Sequence, residues 1–233
     1  MHRAYRHAMR AVCSLSALTL VALMALAGVQ TARAEEVTLD ARIGVVSDYR
    51  WRGVSISEEE PAAQGEASLS FASGLWAWGW ASSVASEYGG SELGVGLGYT
   101  RSAGPVTWTL DAIQYFYPGE DEIDYAQVDL TLEGDVGFAW LSGGVEYVPE
   151  NDNYGDDDVY LWLRMERETG GATYHAALGR DDGVMAPRPY ATDYDVGVAK
   201  MFGSFEGALS VVGVDGEAAA LVAGLSFLSN WGG

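Results

Sequence analysis

An all-β fold, closed as a single antiparallel transmembrane β-barrel of about twelve strands, is predicted by three features of this 233-residue sequence. Apolar and polar side chains alternate along most of it. The segments joining the alternating stretches are long and short by strict turns. An export signal precedes them, and no cysteine follows it.

The alternation is clearest at residues 37–51. Val37, Leu39, Ala41, Ile43, Val45, Tyr49 and Trp51 occupy one parity, and Thr38, Asp40, Arg42, Gly44, Asp48 and Arg50 the other. Successive side chains of an extended chain point to opposite faces, so this stretch reads as a strand over 37–50 with one apolar and one charged surface. Further strands are predicted at 62–72, 75–85, 92–101, 106–116, 124–133, 136–147, 158–167, 172–180, 193–201, 205–213 and 218–228. All six prolines fall outside these spans, as they should, because proline removes a ladder hydrogen bond. Ten or fourteen strands stay open, since 136–147 has mixed parity and 181–193 can be divided in two ways.

The connections separate a barrel from a soluble β-sandwich. Long segments (51–61, 86–91, 117–123, 148–157, 181–192, 214–217) alternate with short ones (73–74, 102–105, 134–135, 168–171, 202–204). Outer-membrane barrels have this asymmetry, with long outer loops and short inner turns; a sandwich has no reason to gather its tight turns at one end. Of the 33 acidic residues, 19 fall in or beside the long set. Next to anionic lipopolysaccharide such loops call for bridging divalent cations. Glu150, Asp152, Asp156, Asp157 and Asp158 are the loose candidates, although Tyr154 and Leu161 occupy positions where a calcium loop needs ligands.

Arg3, Arg6 and Arg10, the apolar stretch Ala11 to Val29, and Ala32-Arg33-Ala34 have the layout of a secretory signal peptide over 1–34. The barrel domain is then 35–233. Cys13 leaves with the signal, so the remainder cannot be a disulfide scaffold. It keeps nine basic against 33 acidic residues, a balance that excludes nucleic acid as a partner. No later segment has the ~20 consecutive apolar residues of a membrane helix. Any crossing is by strands.

Parity assigns faces. Trp76, Trp78 and Trp80 share one; Leu93, Val95, Leu97 and Tyr99 oppose Gly94, Gly96 and Gly98; Ala126, Val128, Leu130 and Leu132 oppose Gln127, Asp129, Thr131 and Glu133. The apolar sets are expected to meet lipid, with Tyr49, Trp51, Trp76, Tyr115, Tyr117, Tyr147, Tyr160 and Tyr194 as interfacial girdles. The three glycines relieve crowding in a narrow barrel; with a strand around them and no helix after, they are not a nucleotide fingerprint.

The polar parity set supplies the functional candidates. Asp40, Arg42, Asp48, Arg50 and Arg52 on the first strand, with Glu66, Asp111, Asp129, Glu133, Arg164, Glu166 and His175, are the expected pore lining, joined by Glu146, Lys200 and Glu206. Acids outnumber bases, so a weak preference for cations is expected. Catalysis is not: His175 is the one histidine after the signal, a zinc site lacks ligands, and no cofactor is called for.

Ser47-Asp48-Tyr49-Arg50-Trp51-Arg52-Gly53-Val54-Ser55 followed by Pro61-Ala62-Ala63-Gln64-Gly65 resembles the opening signature of the TorF-type family of proteobacterial outer-membrane porins. Trp80 to Val84, Tyr115-Phe116-Tyr117-Pro118-Gly119 and Tyr147-Val148-Pro149 agree with later segments. The resemblance spans nearly the whole chain after the signal. It implies an outer-membrane barrel and a channel role, and no catalytic residues. Barrels of this kind commonly finish on an aromatic residue read by the assembly machinery; here the chain runs past Phe227 to Gly233.

The expected function is passive diffusion of small ions or solutes. Lipopolysaccharide, outer-membrane lipid and the barrel-assembly machinery are the expected partners. A plugged structural or adhesive barrel is the main alternative, and a soluble periplasmic β-sandwich binding protein the next.

Overall fold

The computed structural model describes residues 37–232; the signal peptide expected over 1–34 lies outside them. Twelve antiparallel strands close into one barrel. They are β1 (Val37–Val46), β4 (Ala62–Phe71), β5 (Leu75–Ser83), β6 (Ser91–Ala103), β7 (Val106–Phe116), β8 (Tyr125–Asp135), β9 (Trp140–Val148), β10 (Asp158–Thr169), β11 (Ala172–Gly183), β12 (Ala191–Phe202), β13 (Phe205–Val214) and β14 (Ala220–Gly232). Each pairs with its neighbour in sequence. β1 closes the ring by pairing with β4 on one side and β14 on the other, so that Ile43 faces both Gly65 and Phe227 in register. A closed ring leaves no ladder edge unpaired, the condition for strands to cross hydrocarbon.

The outer wall is apolar. Ile43, Leu178 and Leu221 are 63%, 60% and 65% exposed, and Val95, Leu132, Leu163, Val196 and Leu225 are exposed with them. All have the outward parity of their strands, the pattern of a transmembrane barrel. At the short-turn end this wall carries a belt of aromatic rings, with Tyr99 against Trp108 at 5.6 Å and Phe205 against Phe227 at 5.4 Å.

Three features differ from the sequence reading. β1 stops at Val46. The chain then turns inward and forms a short hairpin, β2 (Arg50–Trp51) with β3 (Val54–Ser55), outside the barrel ladder. Parity alone could not show this, because Tyr49 and Trp51 keep the alternation while the chain leaves the wall.

The second correction concerns Trp76, Trp78 and Trp80, which face the interior rather than lipid. They pair in register with Ser70, Ser68 and Glu66 of β4 and with Gly98, Gly96 and Gly94 of β6, and paired residues share a face. The glycines make the space: a Cβ on Gly98 would stand 2.3 Å from the Trp76 ring, and one on Gly94 3.0 Å from that of Trp78. Of the expected girdle, Tyr117 and Tyr160 are buried inside, Tyr115 pairs with the buried Tyr125, and only Tyr147 is exposed; Tyr194 has outward parity. Third, Lys200 pairs with Gly207 on the outward parity, its ammonium 5.6 Å from the Phe202 ring.

Inside the long-loop end lies a small apolar core. Ile56 from the inward segment packs with Val84, Tyr117, Tyr125 and Val148, bordered by Tyr49, Trp51, Tyr88, Tyr115 and Tyr154. Burying these rings holds the inward segment against the wall.

Candidate functional site

The interior is built in tiers. At the long-loop end, Arg52 forms the tip of the inward hairpin. With φ of 48° at Arg52 and 84° at Gly53, both central residues of the Trp51–Val54 turn are left-handed, which suits the twist of two paired strands. An arginine in that conformation costs roughly 1–2 kcal/mol. Its guanidinium holds it there. Nη1 donates to Asp158 Oδ2 at 2.7 Å and to Asp181 Oδ2 at 2.8 Å, and Nη2 to Glu146 Oε2 at 3.1 Å. The same group lies 4.2 Å from the Trp51 ring centre and 4.3 Å from that of Tyr160. Burial would weaken its hold on the proton, but Glu146, Asp181 and Asp158 outweigh burial and push the pKa up. The charge is permanent.

Gly53 must be glycine for a second reason: a Cβ there would lie 2.7 Å from the Gly213 carbonyl oxygen. The hairpin thus reaches from β9, β10 and β11 across to β13. Asp48 and Arg50 belong to it and not to the wall. Arg50 Nε donates to Asp48 Oδ2 at 2.6 Å, and Ser55 Oγ to Asp48 Oδ1 at 2.6 Å.

Glu92 is the second anchor. Its buried carboxylate accepts from Trp80 Nε1 at 2.6 Å, from the Tyr117 hydroxyl at 2.8 Å and from the Tyr49 hydroxyl at 3.1 Å. Sequence reasoning placed it beside a loop, although its parity with Gly94, Gly96 and Gly98 marks it as inward. Asp181 and Asp158 were likewise assigned to the loop rim; both are buried, and Asp158 also accepts from the Met185 amide.

Halfway down, Asp111, Asp129 and Glu146 stand opposite one another across β7, β8 and β9. Gln127 Nε2 donates to Asp129 Oδ2 at 2.9 Å. On the far wall His175 Nε2 lies 3.0 Å from Asp195 Oδ1 and 3.4 Å from Ser210 Oγ. A nucleophilic relay needs the serine and the carboxylate on different ring nitrogens. Here both approach Nε2, so the trio is a polar cluster and not a relay. Arg164 Nε donates to Glu166 Oε1 at 2.8 Å.

Towards the short-turn end, Arg42 Nη2 meets Glu206 Oε1 at 2.5 Å, reaching over β14, and Asn230 donates to Asp40. Asp40, Arg42, Glu66, Ser68, Trp78 and Asn230 line a cavity of about 490 Å³. Glu133 has inward parity below Asp129 and accepts weakly from Trp140 Nε1 at 3.4 Å. A second recess of about 670 Å³ sits on the outer wall between β10 and β11, beside Asp157, Arg180 and Tyr190.

The loose divalent candidates do not converge. Asp158 points inward to Arg52, Asp157 accepts from the exposed Tyr147 hydroxyl at 3.3 Å, and Asp156 accepts from the Asp157 amide at 3.0 Å. Among the described residues, no three or more His, Cys, Asp or Glu side chains are grouped to hold a metal ion.

A family model described as "Bacterial protein of unknown function (Gcw_chp)" matches residues 30–229. The chain belongs to the Gcw_chp family. No curated protein matches it. This Gcw_chp barrel is similar to two solved structures of the KdgM porin, at TM-scores of 0.57 and 0.56, one of them in complex with disordered oligogalacturonate. It is similar also to the NanC porin, at a TM-score of 0.54. In each case identity is 12%, with 82% of this chain and 98% of the other covered. At that identity the likeness shows the fold: a twelve-stranded barrel shared by the Gcw_chp chain and these porins.

Proposed function

We propose that the chain, exported by the signal peptide at 1–34, is an outer-membrane channel that passes small solutes and favours cations. One observation carries the reading: an apolar outer wall encloses an inner wall in which carboxylates outnumber bases. Of the inward positions of β4 to β9, Glu66, Glu92, Asp111, Asp129, Glu133 and Glu146 are acidic, and none is Lys, Arg or His. The bases of the interior, Arg42, Arg50, Arg52, Arg164 and His175, are each in contact with a carboxylate. Fixed lumen charge sets which ions pass. The resemblance to TorF-type porins supports the same role.

The charge also separates this lumen from one suited to the ligand of the oligogalacturonate complex. That ligand is a polyanion, and a wall of carboxylates repels it. Small cations and neutral solutes are the cargo that fits. The inward hairpin narrows the long-loop end, so the conductance is that of a restricted pore.

Reversal potentials across a planar bilayer under a KCl gradient test the reading. The expected sign is cation preference; anion preference overturns it. The hairpin and its apolar core favour a second reading, a barrel plugged at rest, and the same recording separates the two, since a plugged barrel gives no discrete current steps.

A further inference from the structure

We propose that the lumen holds a binding site for organic ammonium cations, with the Trp78 indole as its aromatic face and the Glu66 carboxylate as its counter-charge. The proposal rests on the cation-favouring channel and names the class of solute that this channel retains.

The rings come first. Trp76, Trp78 and Trp80 occupy successive inward positions of β5, and Trp78 and Trp80 lie 6.3 Å apart at 7° between planes. The bare backbone of Gly94, Gly96 and Gly98 beside them lets the indoles lie against the wall. Trp80 Nε1 is bound to Glu92 and Trp76 Nε1 to Thr100 Oγ1 at 3.1 Å. With those two nitrogens bound, Trp78 is the ring of the three that borders the lumen cavity. The negative face of an indole attracts a cation more strongly than any other side-chain ring.

The charge comes second. Glu66 is directly opposite Trp80 in register and shares the cavity of about 490 Å³ with Trp78. It has no ion-pair partner among the described residues, whereas Arg42 in the same cavity is bound to Glu206. Asp111 lies beside Trp76 across Gly98. A cavity of this size suits a small organic ligand.

The free carboxylate points to the chemistry. A neutral saccharide stacked on Trp78 needs donors as well as acceptors beside the ring. The cavity donors with printed bonds lean on other carboxylates, Arg42 Nη2 on Glu206 and Asn230 on Asp40, whereas Glu66 accepts from no side chain among the described residues. Ionised carboxylates only accept. An alkylammonium needs no donor in return; it takes the ring face and the carboxylate together.

The test uses the barrel purified in detergent, with tryptophan fluorescence titrated by tetramethylammonium chloride at constant ionic strength against NaCl and glucose. A saturable change is expected for tetramethylammonium alone. Trp78→Ala should weaken it roughly tenfold or more, Trp78→Phe less, and Glu66→Gln by several-fold. Retarded migration of unheated protein on gels checks that each variant is folded, and Trp78→Phe keeps the test open should Trp78→Ala misfold. Wild-type affinity in Trp78→Phe and Glu66→Gln overturns the proposal, as does saturation by glucose with none by tetramethylammonium. In a bilayer, tetramethylammonium should interrupt the KCl current, and Trp78→Ala should shorten the interruptions. Binding in detergent without any KCl current would retain the site and sink the channel; cation-selective current without binding would do the reverse.

Discussion

Arg52 and Asp158 are 106 residues apart in sequence and 2.7 Å apart in space, and this contact fastens an inward hairpin to the barrel wall. Three carboxylates share one guanidinium, so losing the arginine strands all three. Removing one partner of a buried ion pair costs about 3–5 kcal/mol. Arg52→Ala is therefore expected to lower the melting temperature in detergent and to release the hairpin, raising single-channel conductance. Arg52→Lys, a point charge unable to bridge three acids in a fixed fork, should fall between. Unchanged conductance in a folded Arg52→Ala barrel would show that the hairpin does not narrow the path.

The glycine track of β6 gives a second expectation. A methyl on Gly98 would meet the Trp76 ring at 2.3 Å and Asp111 Cβ at 2.8 Å, whereas one on Gly79 meets nothing within 4 Å. Overpacking costs about 1–3 kcal/mol. Gly98→Ala should destabilise by about that amount and alter near-ultraviolet circular dichroism as the indole moves. Gly79→Ala should leave both unchanged, and urea unfolding of the two variants side by side measures the difference.

These two sites also show where the sequence was readable. Alternation placed all twelve wall strands because period two depends only on backbone geometry. It could not say which face of β5 is outside. Bulky apolar rings suggest lipid, and only the pairing of Trp80 with Glu66 and Gly94 reverses that. Lys200 was legible: Tyr194, Val196 and Val198 share its parity and face outward. The departure at Val46 was not, since Ser47-Asp48 lacks the proline or glycine that usually ends a strand. Arg52-Gly53 carried a hairpin signal only in its glycine. The meeting of Arg52 with Glu146, Asp158 and Asp181 joins four distant segments, and no spacing rule encodes it.

Alkaline pH should loosen the inner core at the long-loop end. Burial, then Glu92, pushes the Tyr117 hydroxyl up, and burial, then Asp124, pushes Tyr154 up to about 12. A pKa raised by folding means that the unfolded chain releases its proton first. The stabilisation is then complete below the unfolded value of about 10 and is lost as pH rises towards 12. Melting temperature should fall across that window, with a late tyrosinate transition at 295 nm. Tyr154→Phe should diminish both. A transition finished by pH 10.5 would mean that these rings are solvated.

The two faces of the wall should answer differently to the same charge. Leu163 is central in β10 and 52% exposed on the outer surface, where an arginine at bilayer midplane costs about 2–4 kcal/mol. Thr131 is central in β8 on the inner face, between Thr109 and Gly144 in register. Leu163→Arg should lower unfolding free energy in lipid vesicles by that amount and leave ion selectivity alone. Thr131→Arg places a cation among Asp111, Asp129 and Glu133, so it should leave stability nearly unchanged and shift the reversal potential towards anions. The opposite result would invert the wall: a stable Leu163→Arg barrel with altered selectivity would put β10's leucines in the lumen. The native outer wall already follows this rule, since Arg180 and Lys200 stand near strand ends, where the interface lowers the cost of an outward charge.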